Sequence, residues 1–423
     1  MILKIISRSW YKLIITAITI TTVGFAQIAK QLEVVLEVNP EILAAEKAYQ
    51  AALEKVKTSG ILPDPMIESS FSINSIETRN GPIENQIMLG QKFPLWGKLR
   101  KERSIEKINA EISRLNLENT SVKIAFLLRK YFADYIKQTH SLNILEQYKQ
   151  ELETFQVVAQ SHYANGIGLT QHPIIKLQIE ESLIETKINA FEGSLEKTIN
   201  DLQVLFNGQF STSTLNYNSK LNVVSFPNDY WINLAKISSP KYLKAQAQVA
   251  LASDKYKLSK LKNYPDLIAG MTYTIVGPTD LGGAVSSGAD ALGVKVGINV
   301  PIWFIKNKAR VRSASYTKKQ HEELLLDTWN KVESDILSII KELKEVKETY
   351  ILYDESIVYE TEQMLSSAYA AYETGKISFL DILDSVRLGV KVKLEFEGIK
   401  AKQTTLSAKL YQSVGIIKPI QEN

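Results

Sequence analysis

Cysteine is absent from all 423 residues. That excludes disulfides, thiolate metal sites and an N-terminal lipid carried on cysteine. The four histidines, His140, His162, His172 and His321, show no metal-ligand spacing, so no metal and no cofactor is expected. There is no glycine-rich phosphate loop with a lysine, no serine nucleophile elbow and no His-Glu-x-x-His pair, so enzyme chemistry is not expected. After the N-terminus no run of 18 apolar residues occurs. No helix therefore spans a bilayer, and any membrane insertion must use strands.

An excess of charge is lacking too. The formal net charge is +4. Residues 1–26 read as an export signal: Lys4, Arg8 and Lys12, then the short apolar run Leu13 to Phe25, then small residues before Gln27. Removing those three cations and no acid leaves about +1. With no basic block carrying interleaved aromatics, nucleic acid is not expected as a partner.

What is present is a repeat. Asn39-Pro40 returns as Ser239-Pro240, and Pro63-Asp64-Pro65 as Pro265-Asp266-Leu267. Phe93-Pro94-Leu95-Trp96 returns as Val300-Pro301-Ile302-Trp303, and Tyr163-Ala164-Asn165-Gly166 as Tyr372-Glu373-Thr374-Gly375. The offsets are 200, 202, 207 and 209 residues, so order and spacing hold through both copies.

Each copy holds two alternating segments. Ile67, Ser69, Phe71 and Ile73 share one face of Met66 to Ile76, and Ile87, Leu89 and Phe93 one face of Glu84 to Pro94, with a turn at Asn80-Gly81-Pro82. In the second copy, Leu267, Ala269, Met271, Tyr273 and Ile275 alternate in Asp266 to Val276. Leu292, Val294, Val296, Ile298 and Val300 alternate in Ala291 to Pro301, after a Gly- and Ser-rich loop over 277–290. Period two puts these sets on one face of a strand. Strands of about 11 residues suit a tilted bilayer crossing; taken alone they suit amphipathic hairpins on a soluble core equally well.

Each hairpin is followed by a very long proline-free stretch, Gly97 to Tyr163 and Lys306 to Glu373. At 1.5 Å per residue a helix of this size is about 100 Å long. The second carries a seam at Leu325, Trp329, Val332, Ile336, Ile339, Leu343, Val346, Tyr350, Tyr353 and Ile357, in steps of about four and three that give a coiled-coil period. The first has a patchier one at Ile105, Ile108, Ile112 and Leu115. Shorter helices are expected at Pro40–Ser59, Ile174–Phe206, Pro240–Lys262 and Phe379–Tyr411. The expected domains are a signal at 1–26, a first repeat at 27–206, a linker at 207–239 holding a short strand or helix, a second repeat at 240–415 and a tail at 416–423. A four-strand sheet cannot close alone, whereas three chains supply about 12 strands, enough for a water-filled barrel.

This layout resembles the TolC family of outer-membrane efflux proteins over the whole mature chain. The likeness rests on Pro63-Asp64-Pro65, on Gln91 to Lys98 (QKFPLWGK) and on Gly375 to Asp384 (GKISFLDILD). It implies an α+β membrane protein, a homotrimer with a long coiled-coil α-helical barrel in the periplasm. A 12-stranded antiparallel β-barrel would sit in outer-membrane lipid, with four strands per protomer. It implies a passive exit duct of a tripartite efflux system, served by a periplasmic adaptor (membrane fusion) protein and an inner-membrane pump. The Pro-Asp-Pro and Pro-Leu-Trp-Gly-Lys words look like the branch partnered with heavy-metal cation pumps. Small toxic compounds, or proteins of type I secretion, are the other cargoes the resemblance allows. A coiled-coil scaffold without a channel has no need of lipid-facing strands.

The resemblance also implies site residues. Asp381 and Asp384 match the family's aperture aspartates; on the residues alone they equally suit a helix cap or a solvated helix face. His172 stands where the family's first tip usually has an acid, and reads either as a pH-sensitive substitute or as a surface-turn histidine. Ile377 stands where the family commonly has an arginine that helps hold the aperture shut. Gly166, Gly168, Leu169, Gly375 and Ser378 are the expected adaptor-contacting tips, where glycine also serves the turn itself. Trp96 and Trp303 are expected at the membrane–water boundary or at the joint between strand and helix.

Overall fold

The computed structural model describes residues 30–164, 171–211, 226–279, 282, 286–374 and 376–418. The segment read as an export signal and the expected tip residues Gly166, Gly168, Leu169 and Gly375 lie outside the described residues. The chain divides into two compact units. One comprises residues up to Ala45, Leu117–Pro240 and Asn330 onward; the other comprises Glu46–Asn116 and Lys241–Trp329.

The elements repeat as the words do. Helix α1 (30–38) leads into α2 (Pro40–Thr58), β1 (Met66–Thr78), β2 (Gly81–Phe93), α3 (Lys98–Ala164) and α4 (His172–Leu205). Helix α5 (Asn228–Ser238) then leads into α6 (Pro240–Leu261), β3 (Asp266–Val276), β4 (Ala291–Asn299), α7 (Phe304–Leu352), α8 (Val358–Glu373) and α9 (Phe379–Val414). The sequence reading assigned no helix to residues 30–38, and α5 falls within the segment read as a linker. The two helices play the same part: each precedes one of the X-Pro words, and proline at a first helical turn starts the next helix.

Both words sit in the same kind of joint. Asn39 caps α2, its Oδ1 accepting from the Glu41 and Ile42 amides at 3.0 and 3.3 Å. Its Nδ2 donates to the Leu205 carbonyl at the end of α4, at 3.0 Å. In the second copy Ser238 Oγ donates to the Val414 carbonyl at the end of α9, at 2.7 Å. Each bond satisfies a carbonyl that a helix end leaves orphaned. Leu32, Val35, Ile124, Leu128, Phe132, Leu202 and Phe206 form the apolar core around the first joint.

The second long helix is continuous but changes its winding part-way. Tyr353–Ile357 form a π-helical turn between α7 and α8. Val332, Ile336, Ile339, Val346 and Tyr350 of the predicted seam are buried, and Thr361, Leu365 and Ala368 continue the packed face beyond it. From Tyr353 through Ile357 and Thr361 to Leu365 the steps are all four residues, more than an α-helix turns in one round. A π turn takes in the extra residue.

In the second unit the four strands form one antiparallel sheet in the order β1-β2-β3-β4. The first turn is tighter than expected. Thr78 pairs with Gly81, so Gly81 and Pro82 already belong to β2. Gly81 has φ 128°, and a Cβ there would lie 1.8 Å from the Gly277 carbonyl oxygen. β4 ends two residues earlier than predicted, before Pro301, which has no amide to donate.

The second joint gives a pair of opposite expectations. Gly415 has φ 92°, and a Cβ would come within 2.2 Å of the Ser238 carbonyl oxygen. Gly398, inside α9, has open space around it. Gly415→Ala should therefore cost at least ~1–2 kcal/mol. Gly398→Ala should gain ~0.5–1 kcal/mol. Thermal unfolding followed by circular dichroism should shift in opposite directions for the two.

Candidate functional site

The cross-strand register sorts the sheet into two faces. Ile67, Leu89, Met271 and Val294 form one row, and Ile87, Tyr273 and Leu292 the next; Ala269–Val296 and Leu267–Ile298 extend the same face. These side chains are open to the surroundings: Ile67 is 73% exposed, Phe71 75%, Val294 79% and Ile298 66%. The opposite face holds Glu68, Met88, Thr272 and Gly293 in one row, and Ser70, Gln86, Thr274 and Ala291 in another. Gln86 Nε2 donates to Thr274 Oγ1 across it at 3.2 Å. Gly90 and Gly270 pair there; a Cβ on Gly270 would lie 2.7 Å from the Leu89 carbonyl.

Among the described residues the outer edges of β1 and β4 have no strand partner. An apolar face bare on its whole width, with open edges at both sides, is not a surface that water tolerates.

The sheet is anchored where it ends. Lys98, the first residue of α3, is buried; its Nζ donates to Asp266 at 2.6 Å and to the Tyr264 carbonyl at 2.7 Å. Lys92 reaches the same carboxylate at 3.2 Å. Asp266 opens β3, so one acid ties the end of the first hairpin to the start of the second. Gln91 Nε2 donates to the Pro63 carbonyl at 2.7 Å, joining two of the words on which the resemblance rests. Trp96 adopts φ 64°, is 59% exposed and packs on Tyr264 with ring centroids 5.5 Å apart. Trp303 follows β4 and is 70% exposed, with Phe304 at 80% and Ile305 at 88% beside it.

In the first unit, the start of α9 packs on α3 and α4 through Phe379, Ile382, Leu383 and Val386 against Leu145, Leu152, Leu177 and Ile184. Ile377 packs against this core. Ser378 and Asp381 form a capping box: Asp381 Oδ2 accepts from the Ser378 amide at 2.9 Å and from its hydroxyl at 2.7 Å, and the Asp381 amide donates back to Ser378 Oγ at 3.3 Å. These bonds hold the Asp381 carboxyl below the usual carboxylate range. Asp384 stays 60% exposed, between Lys176 at 3.5 Å and Arg387 at 3.4 Å. His172 opens α4 and is exposed, with Pro173 buried behind it.

The structure adds a network that the sequence reading missed. Glu180 of α4 is buried, with 5% of its side chain exposed, and receives two bonds from Arg387 of α9, one of them at 3.3 Å. Tyr148 of α3 donates to the same carboxylate at 3.2 Å. Glu180 raises the pKa of Arg387; burial, then the Glu180 charge, push the Tyr148 hydroxyl up. The signal was present as an acid on an apolar stripe, Leu177-Glu180-Ile184. Asp381, Asp384, His172 and Ser378 therefore stand at the starts of α4 and α9 in one unit, whereas Trp96 and Trp303 stand in the other.

Neither protein-family models nor curated proteins give a match to this chain. Solved structures do. CusC, whose structures concern transmembrane channel formation, matches with a TM-score of 0.75 at 13% identity over 92% of each chain. The outer-membrane channel CmeC of Campylobacter jejuni matches with a TM-score of 0.76 at 15% identity, over 94% of this chain and 87% of its own. The chain has the fold of these channels. VceC, an outer-membrane protein of Vibrio cholerae, matches likewise, with a TM-score of 0.75 at 15% identity over 92% of this chain and 96% of that one. At such identities the likeness is one of fold, and it covers both repeats.

Removing Arg387 should strand the buried Glu180 charge. Arg387→Met is expected to cost ~2–3 kcal/mol, and Glu180→Gln together with Arg387→Met should recover about half of that. Hydrogen exchange in α4 and α9 reads both; equal loss in the single and double variants would show that the pair contributes nothing beyond packing.

Proposed function

We propose that three copies of this chain build a passive exit duct in the outer membrane. The observation that carries this reading is the four-strand sheet with one bare apolar face, one polar face and two open edges. Lipid satisfies the apolar face, water in a lumen satisfies the polar one, and neighbouring copies satisfy the edges. The fold shared with outer-membrane channels supports it. Twelve strands, four from each copy, close the barrel, and the helices form a periplasmic barrel. An N-terminal export signal over 1–26 delivers the chain, and Trp96 and Trp303 mark the lipid–water boundary.

In this reading an adaptor grips the tips at Gly166, Gly168, Leu169, Gly375 and Ser378, and an inner-membrane pump supplies the energy. The aperture lies at Asp381, Asp384 and His172. Asp384 is the ring-forming charge, since its carboxylate is exposed, whereas Asp381 holds the helix cap. Three like charges around one opening repel each other and favour cations. Heavy-metal cations are the proposed cargo, on the words Pro63-Asp64-Pro65 and Pro94 to Lys98; a deletion that leaves metal tolerance unchanged but sensitises cells to detergents or dyes would point to small toxic compounds instead.

The purified protein should leave the membrane fraction only with detergent, run as a trimer and conduct ions in planar bilayers. A monomer that is soluble without detergent would overturn the channel reading. Asp384→Asn should weaken block by divalent cations about tenfold, while unchanged block would place the aperture elsewhere.

A further inference from the structure

The internal repeat says more than that the edges must meet a second copy. It specifies how they meet. The sequence offsets are 202 residues for the words before β1 and β3, and 207 for those after β2 and β4. Applied to the strands, they carry the first hairpin's register onto the second. Ile67↔Leu89 becomes Ala269↔Val296, Glu68↔Met88 becomes Gly270↔Lys295 and Ser69↔Ile87 becomes Met271↔Val294. All three are pairs found between β3 and β4. The two hairpins are thus repeats in register from Met66 to Phe71; beyond Phe71 β1 shifts against β2, whereas β3 runs on against β4 without a shift.

The junction between hairpins inside the chain, β2 against β3, is then a template for the junction between chains. Its pairs Ile87↔Tyr273, Leu89↔Met271 and Gln91↔Ala269 carry over as Val294 against residue 71, Val296 against residue 69 and Ile298 against residue 67. We propose that β4 of one copy pairs antiparallel with β1 of a second copy in this register: Val294 opposite Phe71, Val296 opposite Ser69 and Ile298 opposite Ile67. The inference rests on the outer-membrane duct reading and adds the register to it.

Three independent features agree. First, the face is right. Val294, Val296 and Ile298 share the apolar face with Ile67, so the new junction continues it; a slip of one residue would turn it inside out. Second, charge fits. On the polar face Gly297 comes opposite Glu68, and Lys295 comes diagonal to that acid, within reach of a long side chain. In the single chain the Lys295 ammonium lies 3.4 Å from Met88 Sδ, a weak acceptor. Third, the geometry closes. Crossing from β1 through β2 to β3 moves the register from Ile67 to Met271, the counterpart of Ser69, a stagger of about one residue per strand. That ratio of stagger to strand number gives (β/α)8 barrels their tilt of ~36°, within the ~35–45° of membrane barrels.

The absence of cysteine makes the test clean. Opposed residues of an antiparallel pair lie ~4.5–5.5 Å apart, within disulfide range, and diagonal ones ~7–8 Å. Val294→Cys is combined in the full-length protein with Ser69→Cys, Phe71→Cys or Ile73→Cys, in outer membranes under mild oxidation. Met271→Cys with Val294→Cys, a pair opposed inside one chain, controls for folding and oxidation. F71C/V294C should give covalent dimers and trimers on non-reducing gels, at least about tenfold more than the other two. Preferential cross-linking at position 69 or 73 overturns the register and leaves the closed barrel standing. With the control pair oxidised, no cross-link from any pair overturns the edge pairing in a protein that runs as a trimer, and overturns the duct reading too in one that runs as a monomer.

Discussion

Contact with water is costly for one face of this sheet. Ile67, Leu89, Met271, Val294, Val296 and Ile298 stand on one face with nothing over them. Each such side chain forgoes ~1.5–3 kcal/mol by staying in water. Together they amount to about 10 kcal/mol, comparable with the whole stability of an ordinary domain. In the proposed duct lipid takes the place of water on this face, and the face ends where water begins. The buried Lys98–Asp266 pair stands at that end. A buried ion pair is a weak stabiliser against an apolar alternative. It fixes geometry instead: α3 can start and β3 can begin only where ammonium and carboxylate meet. Lys92 on the same carboxylate makes the acid a three-way junction of β2, β3 and α3.

Duplication lets one solution serve twice. The joint at Asn39 and the joint at Ser238 both close a returning helix by a side chain bonded to its terminal carbonyl. Their chemistry differs, an amide in one and a hydroxyl in the other, because the constraint is on the orphan carbonyl and not on the donor. The copies part company where they have different neighbours. Among the described residues only the second long helix takes a π turn, and α9 starts on a capping box where α4 has no side-chain cap bond.

Much of this was legible in the residues. The strand faces follow from period two, and Asp266–Val276 was readable to the residue because Pro265 and Gly277 bracket it. The α7 seam was readable because apolar residues recur in threes and fours. The π turn was not, since it shows only in the run of four-residue steps beyond Ile357, and these include Thr361, a polar residue on the packed face. Helix α1 was hidden beside the segment read as an export signal. At the start of α9, the helix-cap alternative for Asp381 was legible from the residues, and the capping box with Ser378 bears it out. Glu180–Arg387 escaped because the partners are far apart in sequence, and charge on a helix is ordinarily solvated.

Ile377 and Arg387 belong to one arrangement. Ile377 stands where a polar link was expected, and its side chain packs against the core formed by α3, α4 and α9. A polar link between α9 and α4 stands further on, at Arg387, where it meets the buried acid Glu180. The network is graded: side-chain exposure runs from 5% at Glu180 to 44% at Arg387 and 60% at Asp384. Salt and competing cations screen exposed charges strongly and buried ones weakly. A cation arriving at Asp384 therefore competes with Lys176 and the outer side of Arg387 and leaves the bonds to Glu180 in place. Salt thus weakens the inner end of the network, where Arg387 meets Glu180, less than the outer end at Asp384.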